Sequence, residues 1–253
     1  MFRPRIIPVL LLRQLGLVKS VRFKDYRYIG DPINAVKIFN NLKADELTFL
    51  DITATPEKRL ISLDFVRNVG DEANMPFAVG GGIRTIKDIR EILNAGAEKV
   101  VINSYTYENP EFIRKASDIF GSSTIIVCID VKKQLFGGYQ VYTNGGTKAT
   151  DKGPIDYAQE MQRLGAGEII IQSIDKDGIM EGYDIELIRK ISEKVTIPVV
   201  ALGGAGSYPH FSEAVRSGLA SAVAAGSMFV YHGPRRAVLI NFPTQEEIKK
   251  IFS

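Results

Sequence analysis

Short apolar runs rich in Ile and Val recur along the whole chain, and amphipathic stretches separate them. The runs predict strands over Arg5–Leu11, Leu47–Ile52, Phe77–Val79, Lys99–Ile102, Thr124–Asp130, Glu168–Ser173, Val199–Leu202 and Ala222–Ala225. They are apolar at successive positions, as strands covered on both faces are. The stretches between them repeat at helical spacing, and several carry start signals. Asp31-Pro32 opens a helix over Pro32–Lys43, Thr85 with Asp88 three residues on marks Thr85–Ala95, and Asn109 precedes Pro110–Phe120. Further helices are predicted over Leu60–Asp71, Pro154–Leu164, Asp184–Glu193 and Ser207–Ser217, with a last one within Thr244–Phe252. Eight β and eight α units in strict alternation predict an α/β fold of the closed (β/α)8 TIM-barrel type.

The pattern also repeats at half the chain length. A displacement of 122 residues places Glu46 on Glu168, Pro76 on Pro198, Gly81-Gly82 on Gly203-Gly204 and Gly96 on Gly218. Two half-barrels, roughly 1–123 and 124–253, within one 253-residue domain account for this. A group bound at the strand ends of one half then has a counterpart site in the other.

Composition narrows the function classes. There are 32 Lys+Arg against 29 Asp+Glu, a net of +3, and no basic run that would predict a nucleic-acid partner. The single cysteine, Cys128, makes neither an internal disulfide nor a paired-thiol metal site, so a reducing, cytoplasmic compartment is expected, with no metal and no cofactor. The apolar start of the chain, Met1 to Leu12, contains Pro8 and runs straight into Arg13 and Gln14 with no small-residue cleavage site. It reads as a buried strand rather than a leader. No apolar stretch approaches the roughly 20 residues that span a bilayer, so no membrane is expected.

Candidate chemistry sits at the predicted strand ends. Each half has a Gly-rich turn after its third strand, Gly80-Gly81-Gly82 and Gly203-Gly204-Ala205-Gly206, and a small polar turn after its fourth, Asn103-Ser104 and Gly226-Ser227. Glycines let backbone N–H groups approach an anion, and a following helix adds its positive end. Two such sites, with Asp177-Gly178 completing the second, predict a substrate with two phosphates. Asp130 ends strand five, where barrel enzymes place acid–base groups. Asp51 ends strand two and Asp175 follows strand six; both read equally well as residues that tie down loops. Cys128 reads as core, since neither His210 nor His232 is placed to activate it. Arg5, Glu46, Lys99 and Glu168 begin strands one, two, four and six, and four alternating charges there predict a ring of ion pairs on the barrel floor. The segment Val131–Thr150, with Gly-Gly at 137–138 and 145–146, predicts a hairpin inserted after strand five.

The segments RIIPVL, GDP at Gly30–Pro32, DELTFLDITA, VGGGIR, ENP at Glu108–Pro110, GAGEI, DKDG, GYD and GGAGS resemble the cyclase subunit of imidazole glycerol phosphate synthase over essentially the whole length. The resemblance implies a glutaminase subunit docked on the floor, with ammonia passing a gate that matches Arg5, Glu46, Lys99 and Glu168. It implies phosphate contacts at Gly82, Asn103 and Ser104 on one side and at Asp177, Gly178, Gly204, Gly226 and Ser227 on the other. Lys19, in the long loop Lys19–Gly30, matches the family's mobile-loop lysine, and Asp130 matches one of its two catalytic aspartates.

The second aspartate belongs at the end of strand one, and Leu11 stands there. Ala78, Gln172 and Leu202 also depart from the family's mouth pattern. Retained phosphate sites and gate beside a broken acid–base pair resemble the paralogues found with surface-polysaccharide genes, in which the barrel supplies ammonia for amidating a sugar through a third enzyme. Three alternatives stay open: a histidine-pathway cyclase, a lone sugar isomerase of the related half-barrel family, and a non-catalytic scaffold that activates its glutaminase.

Overall fold

The computed structural model describes residues 3–233 and 235–253. Eight parallel strands form the barrel: β1 Arg5–Arg13, β2 Leu47–Asp51, β3 Phe77–Gly80, β4 Lys99–Ile102, β5 Ile125–Lys133, β6 Glu168–Ser173, β7 Val199–Leu202 and β8 Ala222–Ala225. Each pairs with its sequence neighbour, and β8 returns to β1 through Arg5↔Ala222 to Pro8↔Ala225, which closes the sheet. The outer helices are α1 Pro32–Leu42, α2 Leu63–Glu72, α3 Ile86–Asn94, α4 Glu111–Phe120, α5 Pro154–Arg163, α6 Ile185–Ser192, α7 Tyr208–Arg216 and α8 Gln245–Phe252. Local signals set several of these ends. The Asp31 carboxylate accepts from Asn34 N and Pro32 is the first helical residue, while Thr85 and Asp88 form the expected capping box. Helix α2 starts at Leu63 rather than Leu60 because the Ser62 hydroxyl accepts from Phe65 N and fixes the cap there.

Two cores result from the double-faced strands. One lies between barrel and helices, with Phe39, Phe49, Phe211 and Phe229 fully buried. The other fills the barrel and is made of alternate strand residues: Ile7 and Val9, Ala78, Val101, Ile126 and Cys128, Ile170, Val200 and Leu202, Ala222 and Ala224. Cys128 is a core residue, as expected.

The half-repeat survives in the architecture. β1 and β5, the first strands of the two halves, each run nine residues and project beyond the barrel, and each pairs there with an antiparallel arm. The second arm is the predicted insertion, formed by Tyr139–Thr143 and Lys148–Ala149. The first corrects the sequence expectation. Lys19–Gly30 was expected as a long loop, yet Gly16–Val21 pairs with β1 and Lys24–Gly30 pairs back on it. Its turn is built from Arg22 and Phe23, both left-handed (φ 52° and 59°), so no glycine or Asn-Gly signal announces it. The polar turns expected after β4 and β8 are short helices, Ser104–Glu108 and Ser227–Val230.

Gly82 shows how tightly the loops pack above β3. Its φ is +70°, and a Cβ there would stand 1.8 Å from the Arg59 carbonyl oxygen. Gly82→Ala is expected to cost roughly 2 kcal/mol or more, because left-handed strain and a backbone clash add. Chemical denaturation of the two proteins side by side measures it.

Candidate functional site at the barrel mouth

The C-terminal strand ends surround an open cleft. Of the mouth residues singled out from the sequence, Asp130, Lys19, Asp51, Gly82, Asn103, Ser104, Asp177, Gly178, Gly204, Gly226 and Ser227 line it, whereas Asp175, Gly206 and Ala78 do not. Leu11 lines it as well.

Asp130 is inward-facing and buried, beside Cys128, whose thiol lies 3.9 Å from Oδ1. Burial raises its carboxyl to about 7, with Asp177 pushing the same way and the Asn103 and Cys128 side chains opposing. A carboxyl poised there takes or gives a proton at neutral pH. Cys128 is driven well up by burial and by Asp130, so it is a thiol and not a nucleophile. Strand order puts β1 diametrically across from β5, and Leu11, in register with Leu50 and Val18, offers no proton there.

Lys19 comes in from the first arm. Its buried ammonium donates to the Val9 carbonyl at 2.6 Å, and burial lowers it to about 8 against the pull of Asp177. A Cβ on Gly226 would lie 2.4 Å from Nζ, so that glycine leaves the room the lysine fills. The expected loop lysine is therefore a strand residue held at the end of β8, beside Ser227.

Asp177 serves the arm. Its carboxylate accepts from Ser20 Oγ at 2.8 Å, Phe23 N at 3.4 Å and Gln172 Nε2 at 3.3 Å, and burial raises its carboxyl. Gly178 sits against the same arm, where a Cβ would be 2.2 Å from the Ser20 carbonyl oxygen. Asp51 ties down the loop after β2 through Arg59 Nη1 at 2.6 Å, Thr53 N at 3.0 Å and Ala54 N at 3.2 Å. Asp175 likewise accepts from Lys133 N at 2.8 Å. For both, the loop-tying reading is the one the geometry favours.

The two Gly-rich turns lie above β3 and β7. Gly204 has φ +113° and accepts from Gly182 N at 2.8 Å, and Gly206 N donates to His210 Nδ1 at 3.2 Å. Asn103 precedes its short helix without capping it by side chain, which leaves the amide to the cleft. The turn between Thr143 and Lys148, where the second arm returns to the barrel, reaches the same half: Asn144 N donates to Ser104 Oγ at 2.9 Å, and Gly146 packs under Phe23 of the first arm. Ser20 and Phe23 were missed from the sequence because each meets Asp177, 157 and 154 residues away, and Arg59 because no local signal shows its loop folding back on Asp51.

At the other end of the barrel the four predicted floor charges meet. Arg5 bridges Glu46 and Glu168, and Lys99 Nζ lies 3.2 Å from Oε1 of Glu46 and 3.2 Å from Oε2 of Glu168. The cycle is closed and neutral. Both carboxylates are buried, so they depend on their partners. Burial works against the Arg5 charge, but Glu168 and Glu46 more than offset it and hold its pKa above the ordinary value.

The chain is thus a (β/α)8 barrel with two glycine-lined turns and a buried carboxyl at its mouth and a closed ring of ion pairs across its floor. A family model described as histidine biosynthesis protein matches residues 5–234, and the chain belongs to that family. It is 46% identical over 253 residues, all of both chains, to "Putative imidazole glycerol phosphate synthase subunit HisF" of Leptospira borgpetersenii. It is 44% identical over 251 residues, 99% of this chain and 96% of the other, to a protein of the same description, subunit hisF3, of Vibrio vulnificus. It is also 44% identical over 232 residues, 92% of each, to "Imidazole glycerol phosphate synthase subunit HisF" of Alkaliphilus metalliredigens. Among the described residues no helix is long and apolar enough to cross a membrane, and no group of three His, Cys, Asp or Glu converges as a metal site.

Proposed function

We propose that this barrel is the ammonia-using, cyclase-type subunit of a two-component glutamine amidotransferase and binds a substrate with two phosphates at its mouth. The observation that carries the reading is the closed Arg5–Glu46–Lys99–Glu168 ring at the floor, in line with Asp130 at the opposite end. Glu46 and Glu168 are buried, and desolvating them costs several kcal/mol that ion pairing only offsets, which points to a task beyond holding strands together. A small neutral molecule such as ammonia, released by a glutaminase docked on the N-terminal face, reaches the mouth only past them. The relatives' names as synthase subunits support the same assignment.

Each phosphate has a half-barrel's set of donors. Gly82, Asn103 and Ser104 serve one, and Gly178, Gly204, Gly226 and Ser227 serve the other, where the N–H groups opening each short helix lack helical partners. Lys19 supplies a cation at the second set, and Asp177 positions it by anchoring the arm. Asp130 is the acid–base group that touches the reacting atoms.

Leu11 favours a second reading, in which the ammonia is passed to a third enzyme for amidating a sugar. Steady-state turnover of the histidine-pathway phosphoribulosyl nucleotide with excess ammonium decides between them. An ordinary enzymatic rate for the wild type supports the cyclase. A silent wild type with activity gained in Leu11→Asp moves the native chemistry to sugar amidation. Silence in both, with phosphate-site binding intact by calorimetry, sinks the cyclase assignment.

A further inference from the structure

The three segments that project from the mouth are the first arm (14–30), the second arm (131–152) and the stretch after β8 (231–241). They hold ten Lys or Arg against two Asp, a net of +8 in a chain whose total is only +3. They also hold most of the exposed large apolar side chains among the described residues, namely Leu15, Tyr28, Leu135, Phe136, Val238 and Leu239, with Tyr26. Leu135 and Phe136 are 99% and 102% exposed.

This pair sits at the tip of the second arm, in a turn closed by Gly137 N to the Gln134 carbonyl at 3.1 Å and by Gln134 N to the Gly138 carbonyl at 3.1 Å. The turn's special backbone falls on Gly137 and Gly138, both left-handed, so its geometry asks nothing apolar of residues 135 and 136. Neither packs on the barrel, so folding does not explain them. Lys132 and Lys133 flank the pair and are exposed. Steering of an anionic substrate accounts for the positive charge but not for a Leu-Phe tip held out into water.

From this combination we infer that the mouth face is a peripheral membrane-binding surface that seats on anionic phospholipid, with Leu135 and Phe136 entering the headgroup–acyl boundary. Charge complementarity selects the occupant. With the buried Lys19 set aside, these segments still present a net +7, which opposes a second copy of itself and matches an anionic bilayer. The apolar residues lie on three separate segments of the chain, and a deformable surface accommodates them together. One short apolar insertion binds lipid only marginally, and the basic flanks supply the second attraction that stable seating requires. The absence of a spanning helix among the described residues bears on insertion across a bilayer and leaves contact with its surface open. In this orientation the charged floor remains free.

The test is co-sedimentation of the intact chain with vesicles of 70% phosphatidylcholine and 30% phosphatidylglycerol, beside vesicles of phosphatidylcholine alone. Binding is expected only to the mixed vesicles, to fall at least ten-fold in Leu135→Ser/Phe136→Ser, and to fall steeply in 0.5 M salt. Circular dichroism and ammonium-dependent turnover in solution report that the variant is folded and its mouth intact. Failure of the wild type to sediment with the mixed vesicles overturns the inference and leaves the tip to a protein partner. Undiminished binding by the folded double variant overturns it too, since bare charge would then be the cause. Neither result touches the assignment at the mouth, which turnover reads separately.

Discussion

Asp130→Asn is expected to lower ammonium-dependent turnover by about 10²–10⁴ while stabilising the protein at alkaline pH. The first part follows from removing a mouth carboxyl that burial raises to about 7, the loss being that of one acid–base group. The wild-type rate profile should bend near pH 7, and the variant's residual rate should not. The second part follows from the same burial. Asp130 stands at about 7 in the fold against an ordinary 3.8, so the native state holds its proton more tightly than the unfolded chain does. Below pH 4 both states are protonated and Asp130 costs nothing. As pH rises from 4 to 7 the unfolded chain ionises first, and that advantage of the native state is lost. The cost above pH 7 is on the order of 4 kcal/mol, and an amide of the same size escapes most of it. Urea denaturation of wild type and Asp130→Asn at pH 4.5 and pH 8.5 checks this, with the variant's gain several-fold larger at the higher pH. Equal stability at both, together with undiminished turnover, would place the acid–base chemistry on another residue.

The contrast between Asp130 and Asp51 shows what the sequence made legible. Both end barrel strands and both were candidates. Asp130 follows IIVCI, and the strand's period carries it inward beside Cys128, so its burial was readable. The fate of Asp51 depends on Arg59, eight residues away in a loop, and no local signal predicts that a guanidinium folds back to hold it. The arms differ in the same way. The second announces itself by two Gly-Gly pairs, all four glycines left-handed, whereas the first turns on Arg22 and Phe23, residues that rarely adopt that conformation. Eight barrel strands were visible because parallel strands buried on both faces are continuously apolar. Lys19 was found by resemblance, but its place beside Gly226 needed the register of the arm on β1.

The floor ring offers the other large effect. Glu168→Gln leaves Arg5 and Lys99 sharing the single carboxylate of Glu46, and one positive charge goes uncompensated at the base of the barrel. Breaking a buried ion pair from one side typically costs 3–5 kcal/mol. Arg5 and Lys99 side chains keep 29% and 23% exposure, so a loss of about 3 kcal/mol is expected, read from the denaturation midpoint. Adding Lys99→Met restores neutrality, and the pair should recover a good part of that loss, a non-additivity that separate surface bridges would not show. Function should divide in parallel. With ammonium salt supplied from solvent, turnover at the mouth should stay near wild type, since no mouth residue is touched. With glutamine and the glutaminase subunit it should fall at least ten-fold, since nitrogen then enters through the altered floor. A Glu168→Gln protein that loses both activities equally would make the ring a structural clasp alone, and the route through the barrel would have to be abandoned.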